Sequence, residues 1–576
     1  MSIQLVLSHY LDGLRERDEL DALLPELLKA MGHSVVSRPQ VGVAQAGVDV
    51  VSTQNNDAGE LDVYLFVIKF GDVGRDDFYG GKQSIDPSIR EAANDFVRNR
   101  LPENLRGARK RIVLLTNGVL KQEAQAGYAA LSHDIAERPQ CSLEFWGTDQ
   151  LTGLIEEHLF DENLLLAKGK SDLRAALAGL EESDTAVQRF VRFVDSCFAP
   201  VLEGAQSRSV RKKKFLKRCA SASMGWAVLL VWGQSEENLK PGVIAGEYLA
   251  LRMWSEAVKE GFAHDGVFAE RLASTLSLQV KALFEYFEKV LPSLESRRSV
   301  LTHRPERIFY IDLVVEELGR LASLSLLLRA ILPSEARLRA DVRERLIGLV
   351  NEHSGVLLPV YDGHTIDLTL VLAALMQEAD FHNAQRLIST ISIRLKRALQ
   401  SGQYLPVDTD LMEDAFATHV TKEAEPREFF QTSTLLPALA TVAALTHDEE
   451  TLKLLREEVH PLMPEVTLER WYPTTSLETL TGSHNSVQNV GISRAIVGMR
   501  HTVVQETDAS LGVVDGAAEP TDFKWHDTPF VVLTALSARL HRHPLPTWFL
   551  KLCADKADDT APQTRSGVSS PASNDS

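Results

Sequence analysis

Cysteine is scarce in this sequence. The four that occur, Cys141, Cys197, Cys219 and Cys553, lie far apart among 576 residues. None pairs at CxxC spacing, which argues against both a zinc knuckle and a disulfide framework. Reduced thiols, and so a cytoplasmic location, are the expectation. Long hydrophobic runs are missing as well. The most apolar stretch, Met224 to Trp232, falls far short of the roughly 20 residues that span a bilayer. The opening MSIQLVLSHYLDGLRERDEL places charged residues directly behind a short apolar run, unlike a secretory leader. Positive charge is in deficit: 61 Lys and Arg against 79 Asp and Glu give a formal net charge of -18. That balance excludes a chain coated in basic surface, while leaving room for a local basic groove.

Several chemical signatures are also lacking. YGGKQS (Tyr79 to Ser84) resembles a phosphate loop, but the glycine required five positions before Gly81 is replaced by Asp76. The late histidines His484, His501, His526, His541 and His543 show neither HExxH nor other ligand spacing, and no GxSxG elbow occurs.

What is present is an ordinary globular balance, 44% hydrophobic and 24% charged, in a chain long enough for two or three domains. Apolar residues at helical spacing predict a helix from about Leu5 to Met31, stopped at Gly32. Extended runs follow at Ser34 to Val36, Gly47 to Thr53 and Leu61 to Phe70. The turn formers QNNDAGE between the last two predict a β-hairpin. A helix over Pro87 to Asn99, a strand in RKRIVLLTNGVL, a helix over Gln122 to Glu137, and a strand and helix in CSLEFWGTDQLTGLIEEHL complete an α/β domain with a mixed sheet flanked by helices.

Beyond about Lys168 helical patterns dominate: Thr185 to Phe198, Gly246 to Glu260, Phe268 to Leu291, Ile308 to Ile331, Leu368 to Ser401 and Thr432 to His447. Strand signals are scarce there. The expected organisation is an α/β domain over residues 1–167 and an α-helical domain over 168–470. An irregular and helical subdomain over 471–553 packs on the helical region, with Phe530 to Arg542 helical. A small polar tail, 554–576, is expected to be disordered.

Three residues in the first domain form a chemical constellation. Glu26 lies on the helix leading into the sheet, Asp49 in GVDVVS on the first hairpin strand, and Lys69 at the end of the second strand in YLFVIKFGD. Carboxylates that hold Mg²⁺ and a lysine that orients water or stabilises charge are what phosphodiester hydrolysis needs. A hairpin can present them on one face. In this order and spacing, with the Lys69-x-Gly71-Asp72 turn and the later runs IVLLTNG and LEFWGTDQL, about 160 residues resemble the PD-(D/E)xK restriction-endonuclease-like superfamily, in particular its type IV restriction branch. The resemblance implies a restriction-endonuclease-like fold, Glu26, Asp49 and Lys69 as catalytic residues, Mg²⁺ as cofactor and DNA as substrate.

One position departs from the pattern. The acid or glutamine expected two residues before the lysine is Val67, which cannot ligate a metal. Val67 shares a strand face with Lys69, so no shift of register by one residue restores the pattern. Asp72 is the nearest replacement, ahead of Asp76 or Asp77, with Gln83 and Glu91 further along. Other readings stand beside these: Asp49 as a turn cap or the ion-pair partner of Lys69, Glu26 as a solvated helix residue, Asp72 as a turn former.

Two basic clusters are candidate phosphate contacts. One is RSVRKKKFLKR, with Arg211, Lys212, Lys213 and Lys214; the other is Arg106, Arg109, Lys110 and Arg111. Either could equally be a solvated face. The leading expectation is a Mg²⁺-dependent DNA endonuclease or its descendant, controlled by a helical region that senses a trigger, binds a protein partner or forms homo-oligomers, in the manner of anti-phage effectors. The alternative is a non-catalytic nucleic-acid- or protein-binding scaffold with an inactivated nuclease fold.

Overall fold

In a computed structural model the apolar periodicity from Leu5 to Met31 resolves into two helices rather than one, α1 (Ile3–Asp12) and α2 (Asp21–Ala30). The break falls at Gly13, whose N–H turns back to the carbonyl of Tyr10 at 3.1 Å. Gly32, with φ at +83°, ends the second helix where a side chain would be strained. The structure describes residues 3–14, 19–37, 47–56, 58–80, 84–159, 170–199, 206–303, 306–402, 406–409, 412–421, 430–473, 491–495, 524 and 528–558. His484, His501, His526, Gln83, most of the irregular stretch after Pro473 and residues 559–576 of the expected tail lie outside them.

The sheet begins with β1 (Ser34–Ser37), β2 (Val50–Asn55) and β3 (Leu61–Lys69), joined antiparallel. The expected hairpin forms between β2 and β3. Its turn is built by Asn56, whose Oδ1 accepts from the N–H groups of Ala58 and Glu60 at 3.0 and 2.9 Å, and by Gly59 at φ +79°. Next come α3 (Arg75–Tyr79) and α4 (Ile85–Glu91), the latter continuing as a π-helical segment, Ala92–Arg100. Then β4 (Arg109–Thr116), α5 (Gln122–Ala136), β5 (Cys141–Trp146) and α6 (Thr148–His158) complete a mixed sheet in sequential order β1-β2-β3-β4-β5. The β3–β4 and β4–β5 pairs are parallel.

The central strand β3, LDVYLFVIK, is buried from Asp62 to Ile68 because helices cover both faces, so its apolar run is continuous rather than alternating. On one face Val63, Leu65 and Val67 pack with Phe78, Ile85, Ile89, Leu131 and Ile135 from α3, α4 and α5. On the other, Tyr64 meets His33 edge-on at 4.7 Å and Phe66 meets Trp146 at 5.3 Å.

The compact unit that holds the sheet runs well past the change of composition near residue 168: it comprises Met1–Met253 and Glu260–Ala282. It therefore includes α7 (Lys170–Ala178), α8 (Ser183–Phe198), α9 (Arg208–Ser235) and much of α10 (Lys240–Glu260) and α11 (Gly266–Leu294). Helix α9 starts at Ser207, whose Oγ accepts from Val210 N–H at 3.4 Å, an N-cap. Its second half, from Cys219 to Leu230, is buried.

The second unit is Trp254–Lys259 with Leu283–Ser576. Its helices are α12 (Arg297–His303), α13 (Arg307–Ile331), α14 (Ala336–Glu352), α15 (His364–Gln377), α16 (Phe381–Ser401) and α17 (Met412–Phe416). Helical periodicity over Leu368 to Ser401 predicts one helix, but α15 and α16 are separate. Ala379 takes φ 59°, and the Asp380 carboxylate caps the new helix by accepting from Asn383 N–H at 3.3 Å. A short sheet that periodicity did not reveal follows: β6 (Thr432–Ser433) parallel to β7 (Thr467–Pro473), which pairs antiparallel with β8 (Gly491–Ala495). Between β6 and β7 lie α18 (Leu435–Leu445) and α19 (Glu449–Leu454). A 3₁₀ turn at Pro529–Val532 leads to α20 (Leu533–His541), and α21 (Thr547–Asp558) carries helix into the first residues of the expected tail. No helix among the described residues is long and apolar enough to cross a membrane.

Candidate functional site

The hairpin holds Asp49 and Lys69 at the same end of the sheet. Asp49 stands immediately before β2, and its N–H donates to the carbonyl of Phe66 at 2.8 Å. Its carboxylate then takes the place of a ladder carbonyl, with Oδ2 accepting from Ile68 N–H at 2.8 Å. One ligand oxygen is thus engaged by the neighbouring strand, one residue from Lys69. Lys69 is the last residue of β3, half-buried, opposite Thr116 of β4.

Val67, where the resemblance demands a ligand, is 1% exposed within the apolar core against α3, α4 and α5. Glu26 belongs to the layer over the other face of the sheet, since His33, just beyond α2, packs on Tyr64. Its carboxylate pairs with Lys29 one helical turn on, at 3.1 Å. Asp72 Oδ1 accepts from Val119 N–H at 3.1 Å, and its other oxygen faces Lys121 at 3.7 Å. Asp77 caps α3 by accepting from Gly74 N–H at 2.9 Å. Asp76 and Glu91 are exposed on α3 and α4. Among the described residues, no group of three or more His, Cys, Asp or Glu is placed to hold a metal ion. Glu26, Asp49 and Asp72 each have a local partner, and among the described residues they do not gather into one donor set.

The loops at the carboxyl ends of β3 and β4 are clasped by TNG of the β4 run. Asn117, 3% exposed, accepts from Gly71 N–H at 2.8 Å and donates from Nδ2 to the carbonyls of Leu11 and Leu14 at 2.7 and 3.0 Å. Thr116 donates to Gly71 O at 2.6 Å, and Thr148 donates to Asn117 O at 2.8 Å. Gly118 must be glycine: a Cβ there would sit 2.3 Å from the backbone carbon of Gly71. The TNG segment therefore ties the end of α1 to the β3–α3 and β5–α6 connections.

The basic clusters are largely engaged within the first unit. Lys212 pairs with Asp265 at 2.5 Å, Lys213 lies 5.0 Å from the centre of the Phe70 ring, and Arg211 lies over Phe262. Lys217 and Arg218, later in the same run, pair with Glu19 and Glu260. Lys214 is half-buried on the same helix. In the second cluster, Arg109 is exposed, whereas Lys110 is buried and donates to Arg106 O at 2.5 Å. Arg111 bonds Asp62 and Glu144 at 2.8 and 2.9 Å.

Arg111 belongs to a polar cluster that the sequence did not reveal. It lies over the Tyr64 ring at 5.4 Å, and Tyr64 packs on His33, whose Nδ1 faces Ser52 Oγ at 3.0 Å. The only available signal was Asp62, an acid at the head of an otherwise apolar strand. Burial lowers the His33 pKa to about 4. A histidine held neutral in this way contributes its full stability above the unfolded value near 6.5 and loses it as pH falls toward 4. We expect the first unit to lose about 2 kcal/mol between pH 7 and pH 5 from this group alone. Urea unfolding at the two pH values, in the wild type and His33→Gln, measures it, and the variant should flatten the dependence. An equal acid loss in both would put its origin elsewhere.

Together these features define a class: an α/β domain on a five-stranded mixed sheet flanked by helices, followed by a large helical region. The chain matches no family model, no curated protein and no solved structure.

Proposed function

We propose that this chain is a non-catalytic cytoplasmic binding scaffold, in which a domain with the outline of a PD-(D/E)xK nuclease engages a protein partner and the helical region senses or docks a second component. The observation that carries this reading is Val67, sealed in the helix-facing core at the position that would have to supply a metal ligand. The use of Asp49 as a strand-end acceptor supports it. A protein partner is favoured over a nucleic acid by the net charge of -18 and by the engagement of Lys110, Arg111, Lys212 and Lys213 within the chain. Phe70 and Val119, beyond the carboxyl ends of β3 and β4, and Tyr79 at the end of α3 are exposed apolar side chains of the kind protein interfaces use.

A second reading, a Mg²⁺-dependent DNA endonuclease, is favoured by one observation: Asp49 and Lys69 meet at the same end of the hairpin. Plasmid and linear DNA incubated with the purified chain and Mg²⁺ or Mn²⁺ decide between them. No metal-dependent cleavage is expected, with Asp49→Asn and Lys69→Ala indistinguishable from wild type. Cleavage that both substitutions abolish overturns the scaffold reading.

A further inference from the structure

The second unit contains a cavity of about 220 Å³ between the carboxyl-terminal turns of α13, the end of α15, the 3₁₀ turn at Pro529–Val532 and α21. Its walls are apolar: Leu326, Val531, Val532, Phe549 and Leu552 line it. Two polar side chains interrupt them. Arg329 lines the cavity and has no carboxylate partner among the described residues. Gln377, the last residue of α15, lines it too, and its Oε1 is buried without a hydrogen-bond donor. A buried acceptor without a donor is a deficit that a ligand can fill. A guanidinium that no described carboxylate pairs with is a ready partner for a ligand's carboxylate.

We propose that this cavity is a binding site for a small apolar molecule carrying a carboxylate next to a hydrogen-bond donor, the chemistry shared by apolar α-amino acids and α-hydroxy acids. The carboxylate pairs with Arg329, the adjacent N–H or O–H donates to Gln377 Oε1, and the hydrocarbon side chain lies against Leu326, Val532, Phe549 and Leu552. Size agrees with this assignment. An apolar cavity of about 150 Å³ accommodates a benzene ring, so the volume here suits a ring or branched alkyl group plus a few polar atoms and excludes nucleotides. The pairing of one charged anchor and one neutral acceptor with apolar walls is how small-molecule sites fix orientation while burying most of the ligand. This inference concerns the second unit alone and does not depend on how the α/β domain is read.

The test is calorimetric titration of the full chain with four probes: L-leucine, L-phenylalanine, 2-hydroxy-4-methylpentanoate and isoamylamine, which lacks the carboxylate. Saturable binding of at least one of the first three is expected, with isoamylamine at least tenfold weaker. Leucine binding without the hydroxy acid identifies an amino-acid site, and the reverse an α-hydroxy-acid site. Arg329→Met, which keeps the hydrocarbon stem, should weaken the carboxylate probes at least tenfold while leaving thermal unfolding unchanged. Gln377→Leu should weaken them without restoring isoamylamine. Saturation by none of the four probes, or binding unaltered by Arg329→Met, overturns the assignment.

Discussion

Replacing Val67 with glutamate is expected to destabilise the first unit by about 3–5 kcal/mol and to create no metal dependence. The side chain at this position is 1% exposed and packs with Val63, Leu65, Phe78, Ile85 and Ile89, so a carboxylate there has no water and no cation to face. An uncompensated buried charge costs several kcal/mol, or is avoided by holding the group protonated at a comparable cost at neutral pH. Val67→Thr, of nearly the same shape, should cost about 1–2 kcal/mol, the penalty of one buried hydroxyl. Urea unfolding with and without Mg²⁺ reads both variants. A Val67→Glu protein that loses little stability and gains some on adding Mg²⁺ would show that the position opens onto a metal site, and the nuclease reading would then take precedence.

Asn117→Asp is expected to have an effect of similar size for a different reason. The amide satisfies three backbone groups at once: it accepts from Gly71 N–H and donates to the carbonyls of Leu11 and Leu14. An aspartate keeps the acceptor but sets a carboxylate oxygen against two carbonyl oxygens in a site 3% exposed. Loss of two buried hydrogen bonds and the introduction of like partial charges should cost about 3–5 kcal/mol, lowering the melting temperature of the first unit by roughly 10 °C or more. Asn117→Ala removes all three bonds without adding charge and should cost about 3 kcal/mol. Differential scanning calorimetry resolves the two variants. If both melt within a degree or two of wild type, the clasp contributes nothing that water cannot replace.

Part of this architecture was legible in the sequence because it rests on local signals. Gly32, the QNNDAGE turn and the apolar run of β3 each fix their own geometry within a few residues, so the hairpin and the helix stop were visible. The helix break at Gly13 was missed because apolar residues recur at three- and four-residue spacings on both sides of it. The break after Gln377 was missed likewise, although Asp380 ahead of Asn383 is an N-cap signal. The candidate site was harder to read. Glu26, Asp49 and Lys69 stand out by their order along the chain, but the partners that engage the two carboxylates, Lys29 and Ile68 N–H, follow from helix phase and strand register. The basic run on α9 looked available because Glu19, Glu260 and Asp265, which neutralise it, are remote in sequence. The cavity beside Arg329 joins residues more than two hundred positions apart, from Leu326 to Cys553, and no periodicity encodes such a meeting.

The clasp around α1 also bears on how the protein is made. Asp12 at its carboxyl end is bonded to Arg271, 259 positions later, while the Leu11 and Leu14 carbonyls wait for Asn117, more than a hundred positions on. A ribosome adds about 5–20 residues per second, so α1 waits for Arg271 on the order of tens of seconds. Its apolar face, Val6, Leu7, Tyr10 and Leu11, is buried in the finished fold, where α1 packs on α6 and α9. A helix made well before its partners is thus secured late, and nascent chains of this protein should depend on chaperones that hold α1 until α9 and α11 emerge.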